Sequence, residues 1–132
     1  MITILWKSGH GSRDVGLVQV SRLELRRARH VPGFLVTALR LRRTALRSPG
    51  CSGISLRAAP LRRTFWTLST WDDQPAISAF TRDHSHASVM RRYQGRMWSS
   101  DFHAWSPTDL VGPPDWTDAM RRLADRVDGP QG

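Results

Sequence analysis

The sequence predicts an α+β fold: a four-stranded antiparallel sheet in split βαβ order, with one further helix near the C-terminal end. Three observations carry this expectation. Segments of period-two hydrophobicity alternate with segments of helical period in the order strand, helix, strand, strand, helix, strand, helix. Pro and Gly punctuate the changes of period, at Pro32-Gly33, Ser48-Pro49-Gly50, Pro60 and Pro113-Pro114. The 132 residues, 39% hydrophobic and 23% charged, suffice for one globular core and not for two.

Residues 1–14 read as an N-terminal extension: an apolar start from Met1 to Trp6, then the polar, Gly/Ser-rich link KSGHGSRD. Val15 to Leu25 is the first strand. Leu17, Gln19, Ser21 and Leu23 share one face, and Val18, Val20, Arg22 and Glu24 share the other. Both faces begin apolar, as in a sheet covered on two sides. After Pro32-Gly33, the residues Phe34, Leu35, Ala38, Leu39, Ala45 and Leu46 recur at helical spacing, with Arg40, Arg43 and Arg47 off that face. Ser48-Pro49-Gly50 stops this helix.

Gly53 to Ala59 alternates as the second strand and Pro60 ends it. Arg63 to Trp71, rich in Thr and aromatic residues, is the third. Asp72 or Asp73 caps the next helix, and Pro75 falls in its first turn, where a missing N–H costs little. That helix buries Ile77 and Phe80 and breaks near Asp83–Ser85, with Ser85 as cap of a second piece. In the second piece His86, Met90, Tyr93 and Met97 share a face, away from Arg91, Arg92 and Arg96. Trp98 to Trp105 is the fourth strand. Asp115 caps a last helix with Trp116, Met120, Leu123 and Val127 on its apolar side. Residues 15–110 are thus the α+β domain, and 111–132 a C-terminal helix and tail.

This is the ferredoxin-like order of elements. Helices on one face of such a sheet leave the other face to be covered. A second copy of the chain, sheet against sheet, is the expected cover, because two-fold dimers are the commonest oligomers. The N-terminal extension and the last helix are then free to wrap the dimer or cap a pocket.

The charge balance is 20 Lys+Arg against 11 Asp+Glu, a net of +9. Basic domains meet phosphate backbones, but here the arginines are spread along the chain and no nucleic-acid reader motif accompanies them. Nucleic acid is not the expected partner. No apolar run approaches the roughly 18–20 residues that cross a bilayer, and the apolar start is short for a signal peptide. No membrane contact and a cytoplasmic location are the default expectations, and the single Cys51 forms no intrachain disulfide.

The stretch Thr64–Arg92 is the most informative in the chain. Its Phe65-Trp66-Thr67-Leu68-Ser69 strand, Trp71 at the strand end, the Asp72-Asp73 cap, Phe80 and His86 resemble the dimeric α+β-barrel superfamily. Within it they are most similar to antibiotic-biosynthesis-monooxygenase-like proteins, including spheroidene-monooxygenase-related members. The resemblance implies a ligand pocket between sheet and helices and a monooxygenase-like activity on a hydrophobic aromatic or polyene molecule. It implies either no cofactor or a bound haem. Haem-degrading relatives use an Asn on the first strand, where Gln19 is the nearest polar residue here. Met90 stands where those relatives place an axial His, which argues against haem degradation.

The candidate substrate-binding residues are Trp66, Trp71, Phe80, Met90 and Tyr93. Trp66 and Trp71 lie on opposite faces of one strand, so each has core packing as the competing role. His86 is the first candidate general base; its plain alternative is a hydrogen bond to backbone at a helix start. Asp101 and His103 share a face with Trp105, so Asp101 is placed to orient His103 as a second base. The alternative there is an exposed polar face with a cross-strand salt bridge. His84 and His86 have no Cys, Asp or Glu cluster to complete a metal site. A non-catalytic, ligand-binding dimer with the same pocket is the competing function.

Overall fold

The computed structural model describes residues 2–8, 15–107 and 114–128. Among these residues five strands form one antiparallel sheet: β1 (Ile2–Ser8), β2 (Leu17–Leu25), β3 (Cys51–Ala59), β4 (Thr64–Trp71) and β5 (Met97–Trp105). Four helices accompany them: α1 (Val31–Arg47), α2 (Gln74–Arg82), α3 (His84–Tyr93) and α4 (Trp116–Asp128). The spatial order is β1-β3-β4-β2-β5. Its last four members are a ferredoxin-like sheet, with the first and third strands of the motif (β2 and β4) side by side at its centre.

The N-terminal residues are therefore part of the sheet, which has five strands where the sequence predicts four. Ile2–Ser8 pairs with β3, with a bulge between Ile4 and Lys7. The bulge matters because it breaks strict alternation. Ile4 lines the cavity beneath the helices, while Trp6 packs with the core on the opposite face. Trp6 lies so close over β3 that a Cβ at Gly53 would overlap its indole. Residues 9–14 of the polar link, and the boundary placed between residues 110 and 111, lie outside the described residues.

Helices α1, α2 and α3 cover one face. Leu23, Leu25, Phe34, Phe65 and Tyr93 form one apolar cluster there, and Ala45, Cys51, Ile54, Trp71 and Ile77 another. In the first cluster Phe34 meets Phe65 and Tyr93 edge-on at 4.7 and 4.9 Å between ring centroids, a geometry favoured by the ring quadrupoles. Leu39 turns outward, 38% exposed, instead of joining the buried side of α1; Val31 and Thr37 are buried there with Phe34 and Ala45. Gly50, at φ +87, makes the left-handed turn from α1 into β3.

Asp73 is the N-cap of α2, accepting from the Ala76 N–H at 2.9 Å. Asp83, rather than Ser85, caps α3: it ends α2 and accepts the Ser85 N–H at 3.0 Å. A carboxylate two residues ahead of the N–H outcompetes a hydroxyl already inside the helix.

Helix α4 lies across the other face. Ala119 and Leu123 pack on Val18, Val20, Trp66 and Leu68, with Trp105, Trp116 and Met120 at the margin. The Trp116 Nε1–H donates to Ser55 Oγ at 3.1 Å, and Arg57 and Arg122 lie over the rings of Trp116 and Trp105 at 4.7 and 4.8 Å. The side chain of Val127 is outside the described residues. The chain thus covers with its own last helix much of the face that a second sheet was expected to cover.

Candidate functional site

A cavity of about 380 Å³ lies between the sheet and helices α1–α3. Its origin is visible in the alternation of the two central strands. On the helix-facing side, β2 presents Leu17, Gln19, Ser21 and Leu23, paired across the strands with Trp71, Ser69, Thr67 and Phe65 of β4. The middle of this face is small and polar. Ser21 Oγ and Thr67 Oγ1 are hydrogen-bonded to one another across the strands, and Ser69 Oγ accepts from Trp71 Nε1 at 2.9 Å. Short side chains leave a hollow that the helices bridge and do not fill.

The walls are mostly apolar: Leu35, Ala38 and Leu41 from α1, Leu56 and Ala58 from β3, and Ile77 from α2. Aromatic rings run up one side, Trp71 to Phe80 at 5.3 Å between centroids and Phe80 to His86 at 5.0 Å. Met90, one helical turn after His86, lines the same wall.

His86 is the imidazole of the cavity. Burial pushes its pKa below the ordinary value of 6.5, opposed by a hydrogen bond to the Thr81 carbonyl and by the Asp83 charge. Its Nδ1 is buried and has no hydrogen-bond partner among the described residues. Sequence spacing nominates His86, and the burial that lowers its pKa comes from the packing of α3 beside α2.

The other candidates separate. Trp71, Phe80 and Met90 line the cavity with His86. Tyr93 is only 4% exposed and belongs to the Phe34–Phe65 core, beyond the cavity wall. Trp66 borders the cavity, yet its side chain is part of the cluster under α4, on the opposite face. Asp101 and His103 also lie on that opposite face, because they pair with Arg22 and Val20 of β2 and not with the cavity-facing residues. Asp101 is 3.8 Å from Arg22 in a cross-strand ion pair, and His103 stacks on Trp105 at 5.6 Å. Neither is brought together with His86: on a strand, the choice of face is made by the register.

The polar cavity residues missed as site residues include Ser21, Thr67, Ser69 and Arg42. The legible signal was the run of small polar residues at alternate positions of two otherwise apolar strands. Cys51 lies outside this group, and burial pushes its thiol up to about 11, which leaves it un-ionised at neutral pH. Among the described residues no group of three His, Cys, Asp or Glu side chains is placed to hold a metal, and no helix is long and apolar enough to cross a membrane.

With this geometry in place, the fold defines a class: an α+β architecture with a ferredoxin-like antiparallel sheet. Neither a protein-family model nor a curated protein sequence matches the chain. Solved structures do. A candidate antibiotic biosynthesis monooxygenase from Nitrosomonas europaea superposes with a TM-score of 0.66 at 10% identity, covering 78% of this chain and 100% of that one. A point variant of SnoaB, a cofactor-independent oxygenase from Streptomyces nogalater, gives 0.59 at 14% identity, over 73% and 96%. A candidate monooxygenase from Lactobacillus acidophilus gives 0.63 at 12% identity over 77% of this chain. The match spans 47%, about half, of the Lactobacillus protein's length. The likeness is one of fold.

Proposed function

We propose that the chain binds a hydrophobic aromatic or polyene molecule in the sheet–helix cavity and oxygenates it as a monooxygenase-like enzyme, with His86 as the base. The observation that carries this reading is the half-buried imidazole of His86 at the wall of an apolar cavity. Apolar walls bind the body of the substrate, and the Ser21, Thr67 and Gln19 side chains of the floor meet its polar edge. The His86 imidazole takes an acidic proton from the bound substrate, and the resulting carbanion reacts with dioxygen directly. The lowered pKa keeps the imidazole neutral and ready at neutral pH.

His86 is also the imidazole at this cavity that would hold a haem, and a haem would supply oxygen activation. Titration with hemin separates the two branches: a Soret band lost in His86→Ala supports haem, and its absence supports the cofactor-free route. The central experiment is oxygen uptake by the purified chain across a panel of hydrophobic substrates carrying acidic C–H or phenolic groups. Substrate that binds but consumes no oxygen, in wild type and His86→Ala alike, would favour a ligand-binding role without catalysis.

A further inference from the structure

A second hollow of about 330 Å³ opens beside the first, lined by Tyr93, Met97, Gln94, Arg91 and Ser100 together with Leu23, Met90 and Phe102. Leu23, Met90 and Phe102 line both spaces. The two are therefore neighbours across one shared wall, not separate features of the surface. Two of its members are poor barriers. Met90 is unbranched and adopts many shapes at little cost, and Phe102 is 43% exposed at the sheet's β5 edge.

The chemistry of the two spaces differs along the same line. The inner one is apolar with a hydroxyl floor. The outer one begins apolar at Leu23, Met97 and Met90 and ends polar at Gln94 and Arg91. Arg91 is exposed, bonds only Ser88 Oγ at 3.4 Å, and has no ion-pair partner among the described residues. Arg42, on the inner wall, already has an interaction within the chain. A cationic group free to accept an anion thus stands at the outer end, and apolar space runs inward from it. The chain's net charge of +9 favours an anionic ligand at this mouth.

The geometry points to a bipartite site for an elongated amphiphile, a long-chain carboxylate, with its head at Arg91 and its tail passing Met90 and Phe102 into the inner cavity. This rests on the cavity being a ligand site, as proposed above, and adds the shape and the head group of what it takes. Met90 and Phe102 set chain length. Arg91 sets the preference for a charged head, as a point of charge-assisted hydrogen bonding to carboxylate.

Calorimetric titration of the full chain with saturated carboxylates of increasing length, and with their methyl esters, tests it. Affinity should rise about fourfold per added methylene, the increment for a buried CH₂, and then level off once both spaces are filled. The esters should bind at least about tenfold more weakly than the acids, as expected for loss of a charge-assisted bond. Arg91→Gln should erase the difference between acid and ester while leaving ester binding unchanged. Met90→Trp should shift the plateau to shorter chains, with far-UV circular dichroism unchanged. Equal binding of acids and esters, or an affinity independent of length, would overturn the inference. Binding of compact aromatic molecules without any binding of chain carboxylates would overturn it too, while leaving the cavity as a ligand site. Failure of both kinds of molecule to bind would remove both readings.

Discussion

The two faces of the central strands are built from alternate residues of the same sequence, and they end in opposite conditions. On the α4 side, Val18, Val20, Trp66 and Leu68 are at most 3% exposed and meet Ala119 and Leu123 directly. On the other side, their neighbours Gln19, Ser21, Thr67 and Ser69 floor a cavity of about 380 Å³. One face is filled by large apolar groups, and the other is hollow because its central residues are short and polar. The difference teaches where stability and binding reside. The filled face holds the domain together, and the hollow face is left with surface to offer a ligand.

Adjacent substitutions test that division most sharply. Trp66→Ala should cost about 3–5 kcal/mol of unfolding free energy, the usual cost of deleting a buried aromatic ring, as read by urea denaturation. Thr67→Ala, one residue along and on the hollow face, should cost about 1 kcal/mol or less. If the two were equal, the contrast between the faces would be wrong.

A comparable separation should appear between the two histidines in the oxygen-uptake assay. His86→Ala should lower turnover by about 10²–10⁴-fold, the range for loss of a general base. His103→Ala, on the filled face, should leave turnover within about twofold of wild type. Loss of activity in His103→Ala at unchanged stability would move the chemistry to the wrong side of the sheet.

The pH dependence sharpens the role of His86 further. Its folded pKa is below its ordinary value of 6.5, so the unfolded chain binds the proton more readily than the folded one. Stability contributed by the neutral form is present in full above pH 6.5 and is lost as pH falls from 6.5 through the lower folded value. His30 is shifted in the same direction, by desolvation first and then by the Arg96, Arg29 and Arg27 charges. The decisive quantity is therefore the difference between wild type and His86→Gln, whose unfolding midpoint should fall less steeply between pH 7 and pH 5. Parallel curves would mean that His86 is not held neutral.

Two smaller effects complete the comparison on the filled face. Trp116→Phe removes the hydrogen bond to Ser55 while keeping most of the ring, and should cost about 1 kcal/mol. Asp101→Asn breaks a partly exposed pair with Arg22 and should cost less than about 1 kcal/mol, with the effect shrinking as salt rises. A larger or salt-independent loss would show Asp101 held by more than that ion pair.

Much of this architecture is legible in the amino-acid order. The alternation from Leu17 to Leu25 sorts residues correctly onto two faces, and Asp72-Asp73 followed by Pro75 marks the start of α2 where Asp73 does cap it. Asp101, His103 and Trp105 do share a face, as their spacing says. Ile2–Ser8 was the element missed, although its β-branched residues carry a strand signal; a short apolar run has no partner visible in sequence, and here the partner is β3, some fifty residues away. Local periodicity cannot see it.

What the sequence determined by itself is the order of the elements from β2 to α4, the Asp cap of α2 and the partition of β2 and β4 into two sets of side chains, because these follow from backbone periods and local hydrogen bonding. What tertiary structure decided is which set faces the cavity. Both faces of β2 and β4 carry apolar residues, so alternation alone assigns no inside. The docking of α4 on Val18, Val20, Trp66 and Leu68 settled it. It placed Asp101 and His103 on the packed face and His86, Trp71 and Phe80 around the hollow one. The partial burial of His86 is likewise a tertiary fact, since it depends on the packing of α3 beside α2, which sets the imidazole against Phe80.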